Sequence, residues 1–227
     1  MPDNWELYYW GPNVVGRAEF IRLIFEELGM KYKEINKGVP AVFTSGQLEG
    51  YPTRAPPMIK NGEFQLSQMP VICMYLGKKY GLYPDNEADE YHAMQVMATI
   101  SDYITEGRLC FHGVNWQASY FTQQEETKPY IKHFTTNRIP NFLNHFETAL
   151  SRNDGGKGYL FGTKLTYVDL ALLHILRATE SQFPEEWNAL GNIPLLKAFK
   201  VRISERPNLA AYFKSDRCSP FEGNSMM

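Results

Sequence analysis

Apolar residues in the first eighty positions recur at two different periods. Trp5-Glu6-Leu7-Tyr8-Tyr9-Trp10 is rich in strand formers. Lys31 to Ile35 alternates apolar and polar, as a half-buried strand does. Between them, from Arg17 to Leu28, apolar residues fall at 18, 20, 21, 24, 25 and 28, the stripe of one helix face. Gly11-Pro12-Asn13 breaks the chain before that helix, and Gly29 supplies its C-terminal stop. Further on, Met58-Ile59-Lys60 and Glu63-Phe64-Gln65-Leu66 flank Asn61-Gly62, a pair that accepts positive φ at both turn positions and predicts a tight hairpin. A helix follows from Pro70, where the missing N–H costs nothing. Its apolar positions are Val71, Met74, Tyr75 and Leu76, and Gly77 or Gly81 ends it. Asn36 to Tyr51 carries weak signals and reads as loop with a short irregular helix. The order is βαβ, then ββα.

After Tyr83-Pro84-Asp85-Asn86 the strand signals nearly vanish. Glu87 to about Trp116 and Glu125 to Ser151 read as long amphipathic helices, with Pro140 expected to kink the second. Thr166 to Thr179 and Pro194 to Ser204 read as two more. The pattern therefore divides the chain into residues 1–82 and an all-helical 83–227, with a linker at about 81–88. Thr166-Tyr167-Val168-Asp169 has capping-box spacing, with Asp in place of the usual Glu or Gln, and Leu165 can staple onto Leu170. Asp169 is accordingly read as structural.

Composition narrows the chemistry. The chain has 227 residues and a formal charge of −2, so there is no electrostatic case for nucleic acid or an anionic membrane. No apolar run approaches the roughly 18–20 residues that span a bilayer, so no membrane insertion is expected. The amino-terminal residues lack the basic and apolar regions of a signal peptide. Cys73, Cys110 and Cys218 are few and far apart, which suits free, buried thiols in a reducing, cytoplasmic setting. The histidines show no metal-ligand spacing, and His174 on an apolar helix reads as a core residue. There is no Cys-x-x-Cys and no nucleophile elbow. Pro56-Pro57, directly before a strand, is compatible with either a trans loop or a cis bond.

Five segments, taken in order, carry a resemblance: "LYYWGPNVVGRAEFIRLIFEELGMKY", "APPMIKNGEFQLSQMPVICMYLGKKYGLYP", "IPNFLNHFETAL", "GYLFGTKLTYVDLALLHIL" and "IPLLKAFKVRISERPNLAAYF". Together they are similar to the cytosolic glutathione transferases of the tyrosine type (pi, sigma, mu and alpha). The resemblance implies an α/β thioredoxin-like amino-terminal domain, an all-α carboxy-terminal domain, glutathione as co-substrate, no metal, and a homodimer. The implied activity is conjugation of the glutathione thiolate to an apolar electrophile.

The same resemblance implies roles for individual residues. Tyr9 would be catalytic. Trp10, Arg17, Pro56, Pro57, Gln68 and Met69 would contact glutathione, with Pro57 as the family's cis-proline. Glu106 would reach the amine of a partner subunit's glutathione. Trp10 and Trp116 would line the electrophile pocket, Trp116 from the long first helix of the second half. The sequence departs from the family in two places. Pro56 offers no N–H where a residue normally supplies both an N–H and a C=O. Met69 stands where a serine hydroxyl usually binds the γ-glutamyl carboxylate, leaving the backbone N–H and the positive helix end. Two alternatives stay open: a non-catalytic binding or structural protein of this fold, and a glutathione-dependent isomerase or peroxidase.

Overall fold

The computed structural model describes residues 4–11, 14–39, 43, 51–223, 225 and 226. Pro12, Asn13 and most of the weakly patterned stretch after Asn36 lie outside the described residues. Contacts divide the chain into two units: Met1–Tyr83 with Arg206–Pro220, and Pro84–Glu205 with Phe221–Met227.

The first unit holds a mixed four-stranded sheet built from β1 (Trp5–Tyr8), β2 (Tyr32–Ile35), β3 (Met58–Asn61) and β4 (Phe64–Ser67), in the order β2-β1-β3-β4. β1 runs parallel to β2 and antiparallel to β3. Along β1 burial alternates: Trp5 and Leu7 are buried, while Glu6 and Tyr8 are half-buried. A 3-10 turn at Gly16–Ala18 leads into α1 (Glu19–Glu27), which ends before Gly29 at φ +63°. That positive φ is why glycine stops the helix there. Trp5 Nε1 donates to the Tyr80 hydroxyl at 2.7 Å, tying the first strand to the end of α2 (Met69–Tyr80).

Two details of this unit differ from the pattern-based reading. The hairpin turn is Gly62-Glu63 rather than Asn61-Gly62, since Asn61 already pairs with Phe64. Gly62 alone takes a positive φ, +60°, and a two-residue turn with glycine at its first position needs only that one. On α2 the buried stripe is Met69, Ile72, Cys73, Leu76 and Gly77, and Val71 is exposed. The helix ends at Gly81, which takes the left-handed conformation. The Pro56–Pro57 bond is cis.

In the second unit α3 (Glu87–His112) starts on Asn86, whose Oδ1 accepts the Asp89 N–H at 3.0 Å. It ends four residues short of Trp116. The expected kinked helix over Glu125–Ser151 is two helices, α4 (Gln124–His133) and α5 (Ile139–Ser151), joined by a π-helical turn at Phe134–Arg138. Pro140 sits in the first turn of α5. It has no N–H and crowds the carbonyl four residues back, so the chain widens upstream of it. α6 (Tyr167–Gln182), a short α7 (Pro184–Ala189) and α8 (Pro194–Ser204) complete this unit's α-helices among the described residues. Asp169 is fully buried and accepts from Leu160 N–H (2.7 Å), Thr166 N–H (2.8 Å) and Thr166 Oγ1 (2.7 Å). It closes the capping box and holds down the loop before α6. Cys73 and Cys110 are buried free thiols, whereas Cys218 is partly exposed, contrary to the expected burial of all three.

Arg206–Pro220, which contains α9 (Pro207–Phe213), packs with the first unit rather than with the all-helical stretch expected from residue 83 onward. Leu209 and Tyr212 are buried, and polar anchors to remote residues add to them. Arg206 Nε donates to Glu27 at 2.8 Å, Arg217 Nη2 to Glu26 at 2.7 Å, and the Tyr212 hydroxyl to Glu19 at 3.0 Å. A short helix with two buried positions and polar bonds to remote residues leaves little periodic signal to read.

Candidate active site

Sheet register brings three remote segments to one end of the first unit. Tyr8 is opposite Met58, and Met58 is opposite Ser67. One residue further along each strand stand Tyr9, Pro57 and Gln68, so the end of β1, the cis-proline and the start of α2 are neighbours by construction. Tyr9 N–H still pairs with the Ile35 carbonyl at 3.2 Å, which holds the backbone here beyond the last formal strand residue.

The two adjacent tyrosines are sorted by strand alternation. Tyr8 donates its hydroxyl proton to Glu6 Oε2 at 2.8 Å, on the half-buried face. Burial, and then the Glu6 carboxylate, push its phenol up to about 12. Tyr9 lies on the other face and is 5% exposed. Its hydroxyl oxygen accepts the backbone N–H of Arg17 at 2.8 Å. That contact depends on Gly16, which takes φ +49° and lies so close that any Cβ would overlap the Tyr9 ring and hydroxyl. Trp10, next along the chain, is 45% exposed.

A buried arginine organises the loop behind this contact. Arg22 on α1 donates through Nη1 to the carbonyls of Val14 (3.1 Å) and Val15 (3.0 Å), just before Gly16. Nη1 also meets Glu19 at 3.1 Å, and Nε meets Glu34 on β2 at 2.5 Å. Burial opposes the charge on Arg22, and the Glu34 and Glu19 carboxylates more than offset it, raising its pKa. Sequence reasoning missed Arg22. The available signal was a lone cation inside the apolar run Phe20-Ile21-Arg22-Leu23-Ile24-Phe25.

Pro56 and Pro57 are both buried. Gln68 is exposed, sits at the start of α2 and takes φ +73°, which is uncommon for a side chain larger than glycine. No side chain caps this helix start. The Met69 side chain is 1% exposed and forms the first position of the buried stripe of α2, so it packs into the core. The Arg17 side chain is half-buried.

Glu106 and Trp116 belong to the second unit. Arg138 donates to both Glu106 oxygens, through Nε at 2.6 Å and Nη2 at 2.8 Å, and these bonds hold the Glu106 carboxyl below the usual range. The carboxylate remains 31% exposed. Trp116 is not on α3 as expected but in the turn after it. There the Gln123 side chain accepts the N–H groups of Val114 and Asn115 and donates to the Asn115 carbonyl at 2.8 Å. The indole is 58% exposed, with the Arg108 guanidinium 5.7 Å from its ring.

Comparison with known proteins agrees with this architecture. Residues 111–216 match the family described as "Glutathione S-transferase, C-terminal domain". A "Glutathione S-transferase" of Plasmodium falciparum (isolate 3D7) is 31% identical over 230 residues, covering 97% of this chain and 100% of that protein. "Glutathione S-transferase P 1" of Xenopus laevis is 30% identical, covering 89% of each chain. Among solved structures, the Pi-class glutathione S-transferase of Onchocerca volvulus superposes with a TM-score of 0.72, at 24% identity over 93% of this chain and 92% of that one.

Proposed function

Because this chain belongs to the glutathione S-transferase family, we propose that it binds glutathione at the sheet end formed by Tyr9, Pro57 and Gln68 and conjugates it to an apolar electrophile. The observation that carries this reading is the Arg17 N–H bonded to the Tyr9 oxygen at 2.8 Å. A phenol oxygen that accepts an N–H keeps its own proton to donate, and the N–H makes that proton a better donor. Directed at a cysteinyl sulfur, the hydroxyl stabilises the thiolate over the thiol.

The energetic demand is modest. A free thiol has a pKa of about 8.5, and lowering it by two units takes about 2.7 kcal/mol. One charge-assisted hydrogen bond supplies about 1.5–3 kcal/mol. The positive end of the helical segment that begins at Gly16 adds to it. The thiolate then attacks the electrophile, forming a carbon–sulfur bond as the leaving group departs with the electron pair of the broken bond. Holding both reactants together removes much of the entropic cost.

The rest of the ligand is matched to what each position offers. The Pro56 carbonyl accepts the cysteinyl N–H of glutathione as a neighbouring strand would. Gln68 and the Met69 N–H receive the γ-glutamyl carboxylate at the start of α2. Arg17 lies beside the thiol. Glu106, in a homodimer, takes the ammonium group of the partner's glutathione on the lone pairs that Arg138 leaves open. Trp10 packs against the electrophile.

Pro56 is the observation that favours a second reading, binding without turnover, because the position offers one hydrogen bond instead of two. A glutathione titration followed by tryptophan fluorescence, paired with chlorodinitrobenzene turnover, separates the readings. Quenching with turnover supports the transferase. Quenching without turnover supports the binding protein, and a flat titration into the millimolar range removes both.

A further inference from the structure

We propose that Arg22 is a positioning residue for this site, acting through the Val14–Val15 carbonyls to hold the Arg17 N–H against the Tyr9 hydroxyl. The inference rests on the reading of Tyr9 given above. The chain of contacts is continuous. One guanidinium nitrogen bridges the carbonyls of Val14 and Val15, and the next two residues are Gly16 and Arg17. Gly16 takes a positive φ and packs on the Tyr9 ring, so a small shift of the loop is transmitted to the hydroxyl with little slack.

The guanidinium is itself clamped from two elements. Glu34 on β2 meets Nε and Nη2, and Glu19 on α1 meets Nη1. Glu19 in turn accepts the Tyr212 hydroxyl from α9. Both carboxylates are thus spoken for, and Arg22 links them to the loop carbonyls. A planar fork of donors is required for this, because a single ammonium cannot reach two carbonyls and two carboxylates in different directions.

The test is the titration of enzyme-bound glutathione, followed by thiolate absorbance, in wild type, Arg22→Lys, Glu34→Gln and Tyr9→Phe. Arg22→Lys keeps the buried charge beside Glu19 and Glu34 but loses the fork. We expect its midpoint to rise by about half a pH unit or more, which is about threefold less thiolate on the acid side. The glutathione KM should stay within about twofold, since Arg22 does not touch the ligand. Glu34→Gln should shift the midpoint in the same direction by less. An Arg22 with only a structural role would lower the melting temperature and leave the midpoint in place, and that result would overturn the proposal. If Arg22→Lys fails to fold, Glu34→Gln decides: an unmoved midpoint there sinks the idea. If Tyr9→Phe moves the midpoint and neither of the others does, only this inference fails. If Tyr9→Phe leaves it unmoved, the reading of Tyr9 fails and this inference goes with it.

Discussion

The hydroxyl oxygen of Tyr9 accepts the backbone N–H of Arg17 at 2.8 Å, across eight residues of chain. In that bond the phenol oxygen is the acceptor. Tyr9→Phe removes the hydroxyl and keeps the ring, so binding surface is conserved while thiolate stabilisation is lost. Turnover of chlorodinitrobenzene is expected to fall ten- to a hundredfold, or about 1.4–2.8 kcal/mol. Glutathione affinity should change little. Tyr8→Phe should be nearly silent, because Tyr8 gives its proton to Glu6. A large loss in Tyr8→Phe with none in Tyr9→Phe would reverse the assignment.

Gly16 is tied to the same hydroxyl by sterics. Its φ of +49° disfavours any side chain, and a Cβ would overlap the Tyr9 ring. Gly16→Ala should therefore displace Tyr9 and cost at least tenfold in kcat/KM, together with about 1–3 kcal/mol of stability. In the double variant Gly16→Ala with Tyr9→Phe, the kinetic loss should not exceed that of Tyr9→Phe by more than about twofold, since both changes remove the same interaction. Fully multiplicative losses would mean that Gly16 acts by some other route.

Much of this was legible from residue order alone. The strand formers of β1 and the period of 3.6 in α1 were visible because burial in a shared core writes itself into the sequence. The capping box at Thr166 and Asp169 was legible because its bonds are local. What escaped depended on remote partners or on shape. The attachment of α9 to α1 rests on Arg206, Tyr212 and Arg217 meeting glutamates nearly the whole chain away. The π-helical turn before Pro140 depends on how the chain relieves a clash, and a proline predicts the clash without predicting the remedy. The burial of the Met69 side chain follows from the stripe 69, 72, 73 and 76, which the apolar positions 71, 74, 75 and 76 read from the sequence did not include.

Met69→Ser tests what this burial implies. As a lost ligand contact, Met69 would gain a useful hydroxyl on replacement. As a core residue at 1% exposure, it loses its packing and buries an unsatisfied group. We expect a loss of about 2–4 kcal/mol in chemical denaturation. Glutathione affinity of the folded fraction should stay within about threefold, because the Met69 N–H remains. A stable variant with tenfold tighter glutathione binding would show that the serine hydroxyl is the missing contact.

Glu106 is proposed to serve a neighbouring copy, so its effect should appear only in a dimer. Light scattering at micromolar concentration should give a mass near twice 26.2 kDa. Glu106→Gln removes the charge and should raise the glutathione KM about three- to tenfold with kcat unchanged, since the ammonium group is remote from the sulfur. Arg138 holds the carboxyl ionised, so this contribution should persist in mildly acidic buffer. A monomer, or an unchanged KM, would confine Glu106 to its pair with Arg138.

Asp169 offers a stability test with a definite sign. Burial raises its carboxyl to about 6, against the opposing donors from Leu160 and Thr166. In the unfolded chain the group titrates near pH 3.9. Between these values the folded protein holds the proton and the unfolded chain does not. Folding is therefore favoured at the acid end of the window, and this contribution falls as pH rises from about 4 to 6, then levels off. Two units correspond to about 3 kcal/mol. Asp169→Asn cannot titrate, so it serves as the baseline. The wild-type advantage over Asp169→Asn in urea midpoint should be larger at pH 4.5 than at pH 7. Asp169→Ala should be worse than Asp169→Asn at every pH, because it strands the buried N–H groups of Leu160 and Thr166. A wild-type advantage that grows toward neutral pH would show that the donors outweigh burial and that the carboxylate, not the acid, is the form the capping box prefers.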